Sequence, residues 1–136
     1  MPYEDCVVYL LSKAYQHAHA VAKQRLAAYN LTPIQQLVLA ALSQDEGMSA
    51  GDLGKKLRLD PATLSGVLDR MVDGEWIVKE TDPDDKRFLR IYLTDRAKMM
   101  GPTLMEERDK ANEEIMRNLS FEERVLLKRL LKDLRI

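Results

Sequence analysis

Three sets of residues have the types and spacing to do chemistry. The first is a charged run, Asp85-Lys86-Arg87, with Arg90 three residues on. A carboxylate two residues ahead of a guanidinium can hold it in one orientation. A held guanidinium presents a planar fork of donors that suits phosphate or the negative potential of a narrow nucleic-acid groove, and it loses less entropy on binding. The ordinary alternative is a solvated surface ion pair. The second set, Thr63, Ser65, Gly66 and Arg70, falls at helical spacing on one polar face, with Pro61 and Ala62 just ahead. Hydroxyls bond phosphates or base edges, and in this set Arg70 alone could grip guanine through two donors. Arg70 could instead pair with Asp73 along its own helix. The third is the single cysteine, Cys6, which excludes an intrachain disulfide. A thiol near the start of a helix can be activated by the free amides there, although a lone Cys is more often an inert apolar filler.

Other chemistry is scarce. Gly51, Gly54 and Lys55 resemble part of a phosphate-binding loop, but Ser49 stands where its first glycine belongs and Lys56 replaces the required hydroxyl. His17 and His19 are two apart, so a helix points them to different faces and they do not readily share a metal. No catalytic triad or metal cluster emerges, and no cofactor or enzymatic activity is implied.

The elements that would carry these groups can be read from pattern. Residues 60–73 form a helix: Asp60 is a good N-cap, Pro61 suits the first position, and Leu64, Val67, Leu68, Met71 and Val72 make one apolar face. A shorter helix over 49–57 precedes it, with Ser49 and Asp52 as cap and N3 partner and Leu53 and Leu57 facing inward. Arg58-Leu59-Asp60 is the short turn of a helix-turn-helix. Strands follow at 76–81 and 88–93, joined by the turn-rich tip Asp82-Pro83-Asp84-Asp85-Lys86. Leu89, Ile91 and Leu93 share one face of the second strand, and Phe88, Arg90 and Tyr92 the other. Helix, turn, helix and hairpin in that order make a winged helix-turn-helix, with one helix for the major groove and the hairpin tip for the flanking backbone or minor groove.

Upstream, residues 4–29 read as one long helix, with Tyr15, His19 and Tyr29 along it. The next helix opens on a capping box, Thr32 with Gln35, and Pro33 between them. Its apolar residues surround it, so it should be central. Residues 43–48 read as a loop. Downstream, 95–118 is helical with a kink or break expected at Gly101-Pro102. Ser120 and Glu123 box the start of a last helix whose Leu126, Leu127, Leu130, Leu131 and Leu134 make a wide apolar face.

The 136 residues suit one domain, 32% charged and 46% apolar. The net charge of −1 excludes a general nucleic-acid coat. Residues 49–93 hold eight Lys or Arg against nine Asp or Glu, so DNA affinity would need local basic clusters: Lys55, Lys56 and Arg58 by the turn, Arg70, and the wing. An acidic start and no long apolar run point to a cytoplasmic protein without signal peptide or membrane span.

Leu31-Thr32-Pro33-Ile34-Gln35, the stretch from Leu64 to Met71, Asp85-Lys86-Arg87 and Leu93-Thr94 together resemble the MarR family of bacterial transcription regulators. The resemblance implies a mainly α fold with a small two- or three-stranded β wing. It implies a DNA-reading region over 31–97 and helical dimerisation regions over 1–30 and 98–136. It implies a homodimer on a pseudo-palindromic operator in double-stranded DNA, a repressor that answers to a small aromatic or anionic effector. Arg87 matches the wing arginine of the minor groove, and Asp85 the acid that holds it. Pro61, Ala62, Thr63, Ser65, Gly66, Arg70, Lys86 and Arg90 complete the expected DNA surface. Tyr15, His19 and Tyr29 are the expected effector-pocket residues, and Cys6 the redox-sensing candidate. Four positions depart from the family pattern: Gly66 stands where many members carry Arg, Lys79 replaces Arg, Gly74-Glu75-Trp76 shifts the helix-end glycine by one position, and Ala97 replaces the glycine that often follows Leu-Thr. The alternative is a winged-helix module that binds a protein partner without specific DNA binding.

Overall fold

The computed structural model describes residues 1–135. A three-ten turn at Tyr3–Asp5 leads to α1 (Val7–Leu26) and a second three-ten turn at Ala27–Tyr29. Then come α2 (Pro33–Gln44), α3 (Ala50–Leu57), α4 (Pro61–Asp73), β1 (Ile77–Thr81), β2 (Leu89–Leu93), α5 (Asp95–Ile115) and α6 (Phe121–Asp133). The expected mainly helical chain with a winged hairpin is the fold observed.

Capping decides most of the boundaries. Thr32 accepts from the Gln35 amide while the Gln35 side chain accepts from the Thr32 amide, and Ser120 and Glu123 repeat the exchange at α6. Asp60 accepts from the Thr63 amide at 2.9 Å and opens α4. Ser49 accepts from the Asp52 amide, but the box is half formed, because the shorter Asp52 side chain makes no return bond among the described residues. Arg58 ends α3 in the left-handed region at φ 55°, and the Leu59 amide returns to the Gly54 carbonyl. Gly54 is buried under that turn. A Cβ there would stand 3.3 Å from both the Leu59 carbonyl and Leu64 Cδ2, so the glycine serves close packing of α3 on α4.

β1 and β2 pair antiparallel, with Ile77 opposite Leu93 and Lys79 opposite Ile91. A bridge from Ser49 to Arg90 adds a one-residue third strand. The fully buried side chains Leu26, Val38, Leu42, Leu53, Leu68, Met71, Ile77 and Ile91 form one core around α2. The buried Gln36 side chain ties α2 to α5 by donating to the Leu104 carbonyl at 2.8 Å. Trp76 is buried beneath Arg96, whose guanidinium lies 4.1 Å from the indole centre and donates to the Gly74 carbonyl. This joins the end of α4 to the start of α5. The displaced glycine at 74 has a reason here: its φ is −80°, but an added Cβ would meet Trp76 at 3.1 Å, and it is Glu75 that takes the left-handed conformation at φ 61°.

Several expectations need correction. The helix over 4–29 is interrupted, because Cys6 is extended and the α-helix starts only at Val7. α2 continues through Ser43 and Gln44, shortening the expected loop. α5 does not break at Pro102. The exposed ring forfeits one backbone bond, while Ala97, Leu104 and Ala111 are buried on both sides of it and keep the helix in place. Within one chain, no residue of α6 is buried, and Leu37 of α2 is 49% exposed.

Candidate nucleic-acid interface and effector cleft

Recognition would begin on α4. Its apolar face is locked inward by Leu64, Val67, Leu68 and Met71. That leaves Pro61, Ala62, Thr63, Ser65 and Arg70 exposed on the other side, with Gly66 half-buried among them. The Thr63 hydroxyl donates to Asp60 at 2.7 Å, leaving its lone pairs outward. That hydroxyl and the Thr63 amide hold the Asp60 carboxyl below its ordinary pKa. Arg70 makes no ion pair among the described residues, so the expected alternative of a pair with Asp73 is not found. Its guanidinium instead lies back over Gly66, where an added Cβ would be 3.8 Å away. Helical side chains lean toward the N-terminus, so a cation rooted at 70 covers the surface in front of 66.

The wing presents the second contact. Asp85 and Arg87 form a two-point ion pair, Nε to Oδ1 at 3.0 Å and a terminal nitrogen to Oδ2 at 2.8 Å. The Arg87 amide also donates to Oδ1. The Arg87 side chain remains 85% exposed. These bonds lower the Asp85 pKa and raise that of Arg87. Lys86 is exposed and unpaired among the described residues.

Arg90, expected on the DNA surface, is tied into the hairpin and the loop that supports it. It is half-buried and turned inward, with Nε on Asp82 at 3.0 Å and a terminal nitrogen on the Gly47 carbonyl at 3.2 Å. β2 alternation puts it on the face opposite Ile91, and there the 45–48 loop receives it.

The acidic balance of the sequence is thus resolved locally. Lys79 neutralises Asp69 at 2.6 Å, Arg90 engages Asp82 and Arg87 engages Asp85. Lys55, Lys56, Arg58, Arg70 and Lys86 are exposed and have no carboxylate partner among the described residues. Composition could not show this sorting of paired from unpaired charge.

On another side of the molecule, α1, α2 and α5 enclose an open cleft of about 520 Å³. Tyr15 and His19 line it as expected, their rings 5.5 Å apart and tilted. Tyr29 does not. It sits half-buried in the three-ten turn after α1 and packs on the core. Arg108 is the residue that sequence reasoning missed. It is half-buried on the cleft wall and has no ion-pair partner among the described residues, whereas its neighbour in sequence, Glu107, pairs with Arg25 across α1 and α5. An unpaired cation beside two rings and the side chains of Ile34, Leu37 and Ile115 suits a flat anion. Only the tertiary meeting of α1 with α5 reveals it. Cys6 is half-buried at the N-cap of α1 and makes no side-chain cap bond. Among the described residues there is no His, Cys, Asp or Glu cluster fit for a metal, and no helix is long and apolar enough to cross a membrane.

Comparison with known proteins gives the same direction throughout. The model of the MarR family matches residues 31–88. The transcriptional repressor NicR of Pseudomonas putida is 31% identical over 133 residues, which span 96% of this chain and 84% of that protein. A probable transcriptional regulator from Pseudomonas aeruginosa superposes with a TM-score of 0.94 at 26% identity, covering 98% of this chain and 100% of that one. BpsR of Bordetella bronchiseptica, whose DNA binding is regulated by 6-hydroxynicotinic acid, has a TM-score of 0.91 at 27% identity, covering 98% and 95%.

Proposed function

The chain belongs to the MarR family and is a DNA-binding transcription regulator, and from that premise we propose that it acts as a homodimeric repressor of a pseudo-palindromic operator, released by a small aromatic anion. The observation that carries the DNA role is the wing: an exposed guanidinium fixed by two bonds to Asp85 beside an α4 surface of small polar groups. In this reading α4 enters the major groove. Thr63 and Ser65 meet phosphates or base edges there, and Arg70 supplies the cation that Gly66 lacks. Arg87 enters the adjacent minor groove, with Lys86 and the cluster of Lys55, Lys56 and Arg58 on phosphates.

The region over 31–97 reads DNA, and the segments 1–30 and 98–136 join two copies. Support comes from the exposed apolar side chains of both ends, Val7, Val8, Leu10 and Leu11 on α1, Phe121, Val125, Leu126, Leu130 and Leu131 on α6, and Leu134 just beyond it. Two α4 helices held about 34–36 Å apart match one turn of DNA. The cleft beside α1 and α5 lies where an effector can bias that spacing. A ring would rest on Tyr15 and His19 and a carboxylate on Arg108. A ligand that fits one spacing better shifts the population away from the DNA-competent form. The behaviour of BpsR makes 6-hydroxynicotinate the first probe. The protein acts in the cytoplasm.

The test is a fluorescence-anisotropy titration against duplexes selected from a random library by the wild-type protein. We expect a two-fold symmetric site whose binding weakens with salt and with added 6-hydroxynicotinate. Arg87→Ala should weaken binding to that site roughly ten- to a hundredfold. Selection of no preferred sequence would overturn the regulator's specific role. Unchanged affinity in Arg87→Ala would remove Arg87 from the interface.

A further inference from the structure

The wing hairpin is fastened to the body of the protein by a polar relay that ends at Arg87. It starts at the 45–48 loop between α2 and α3, where the Gly47 carbonyl accepts from Arg90. Arg90 donates through Nε to Oδ2 of Asp82. Oδ1 of Asp82 accepts from the Asp84 amide at 2.8 Å and from the Asp85 amide at 3.4 Å. Asp85 then holds Arg87 through both carboxylate oxygens. The root is well fixed: Gly47 and Met48 exchange backbone bonds with Ile91 of β2, whose side chain is fully buried. The Asp82 side chain is only 13% exposed, whereas Arg87 is open to solvent. The sequence of bonds therefore runs from a buried anchor to an exposed tip.

We infer that Arg90 and Asp82 are positioning residues of the DNA interface, which orient the wing tip so that Asp85 presents Arg87 in one place. This rests on the reading of Arg87 as the wing's groove contact. Asp82 gathers two tip amides as a helix N-cap does, and Arg90 fixes Asp82 to the loop that precedes α3. A two-stranded hairpin is marginal by itself, so its tip needs such an anchor to stay in register with α4. The bonds to the tip amides and to Arg90 also hold the Asp82 carboxyl below its ordinary pKa, so it stays ionised and accepting at neutral pH. Arg90 thus acts on DNA through Arg87 and without touching it.

A double-mutant cycle on the selected duplex tests this, with Arg90→Gln, Arg87→Ala and the pair. Arg90→Gln should weaken binding roughly 2- to 10-fold, as expected for losing the order of one long side chain at an interface. Its salt slope should match the wild type, because no phosphate contact is lost. In the Arg87→Ala background, Arg90→Gln should change nothing further. In the free protein, the heteronuclear NOE of the Arg87 amide should fall in Arg90→Gln and in Asp82→Asn, with the midpoint of thermal unfolding unchanged. A salt slope reduced by about one unit would make Arg90 a phosphate contact and overturn the relay. Additive losses, or an unchanged NOE in both variants, would also overturn it. If Arg87→Ala alone has no effect on affinity, the groove role of Arg87 fails and the relay with it. If Arg87→Ala weakens binding and the cycle is additive, only the relay fails.

Discussion

The winged unit and the terminal helices use the same apolar residue types, but they finish in different surroundings. Leu53, Leu64 and Leu68 of α3 and α4 are buried against Met71, Ile77 and Ile91 inside one chain. Leu126, Leu130 and Leu131 of α6 and Leu134 just after it are exposed, as are Val7, Val8, Leu10 and Leu11 on α1. The polar groups show the same contrast. In the wing the carboxylates Asp82 and Asp85 have their partners within the hairpin and its supporting loop, whereas Arg108 in the cleft has none among the described residues. The winged unit is complete in one copy of the chain. The helical layer leaves apolar side chains exposed and the cleft leaves a cation unpaired among the described residues; in the proposed reading a second copy covers the first and a small anion meets the second.

That contrast can be broken at three points. The largest effect is expected at α6. Leu130→Glu with Leu131→Glu places charge on the face assigned to the partner, so light scattering should report a monomer. Affinity for the selected duplex should fall by about a thousandfold or more, toward the non-specific level. A dimer that survives both changes would move the interface elsewhere. Next, Leu68→Ala opens a cavity in the core of the winged unit and should lower unfolding stability by ~2–5 kcal/mol. Chemical denaturation should show that loss while the association state at high protein concentration stays the same. A parallel loss of association would mean that the two regions do not separate as described. The smallest effect belongs to the cleft. Arg108→Gln should weaken binding of an aromatic carboxylate by roughly tenfold, the loss of one charge-assisted bond. DNA affinity without ligand should not move. Calorimetry that finds equal affinity in the variant would remove Arg108 from the site.

What could be read from the sequence follows the range of the interactions involved. Thr32 with Gln35, Ser120 with Glu123 and the Asp60 cap with the Thr63 amide act over three residues, and each fixed a helix start where it was expected. The Asp85–Arg87 pair is two residues long and was equally legible. What was less legible depends on partners far along the chain. Arg90 is turned inward by Gly47, 43 residues away, and Arg108 gains its setting only when α5 meets α1. Pro102 signalled a kink or a break, and α5 runs through it unbroken, while Cys6 interrupts a helical pattern that apolar spacing alone runs straight through. Arg70 lies between these cases. Its helical position was plain, but its cover of Gly66 and its freedom from Asp73 needed coordinates.

The stack of Arg96 on Trp76 has an optical consequence. Trp76 is the chain's sole tryptophan, and it stands between the end of α4 and the start of α5. A rotation of α5 against the end of α4 would move the guanidinium relative to the indole face. If the proposed change in spacing moves α4 against α5, the emission spectrum of the unlabelled protein should report it through this one native chromophore.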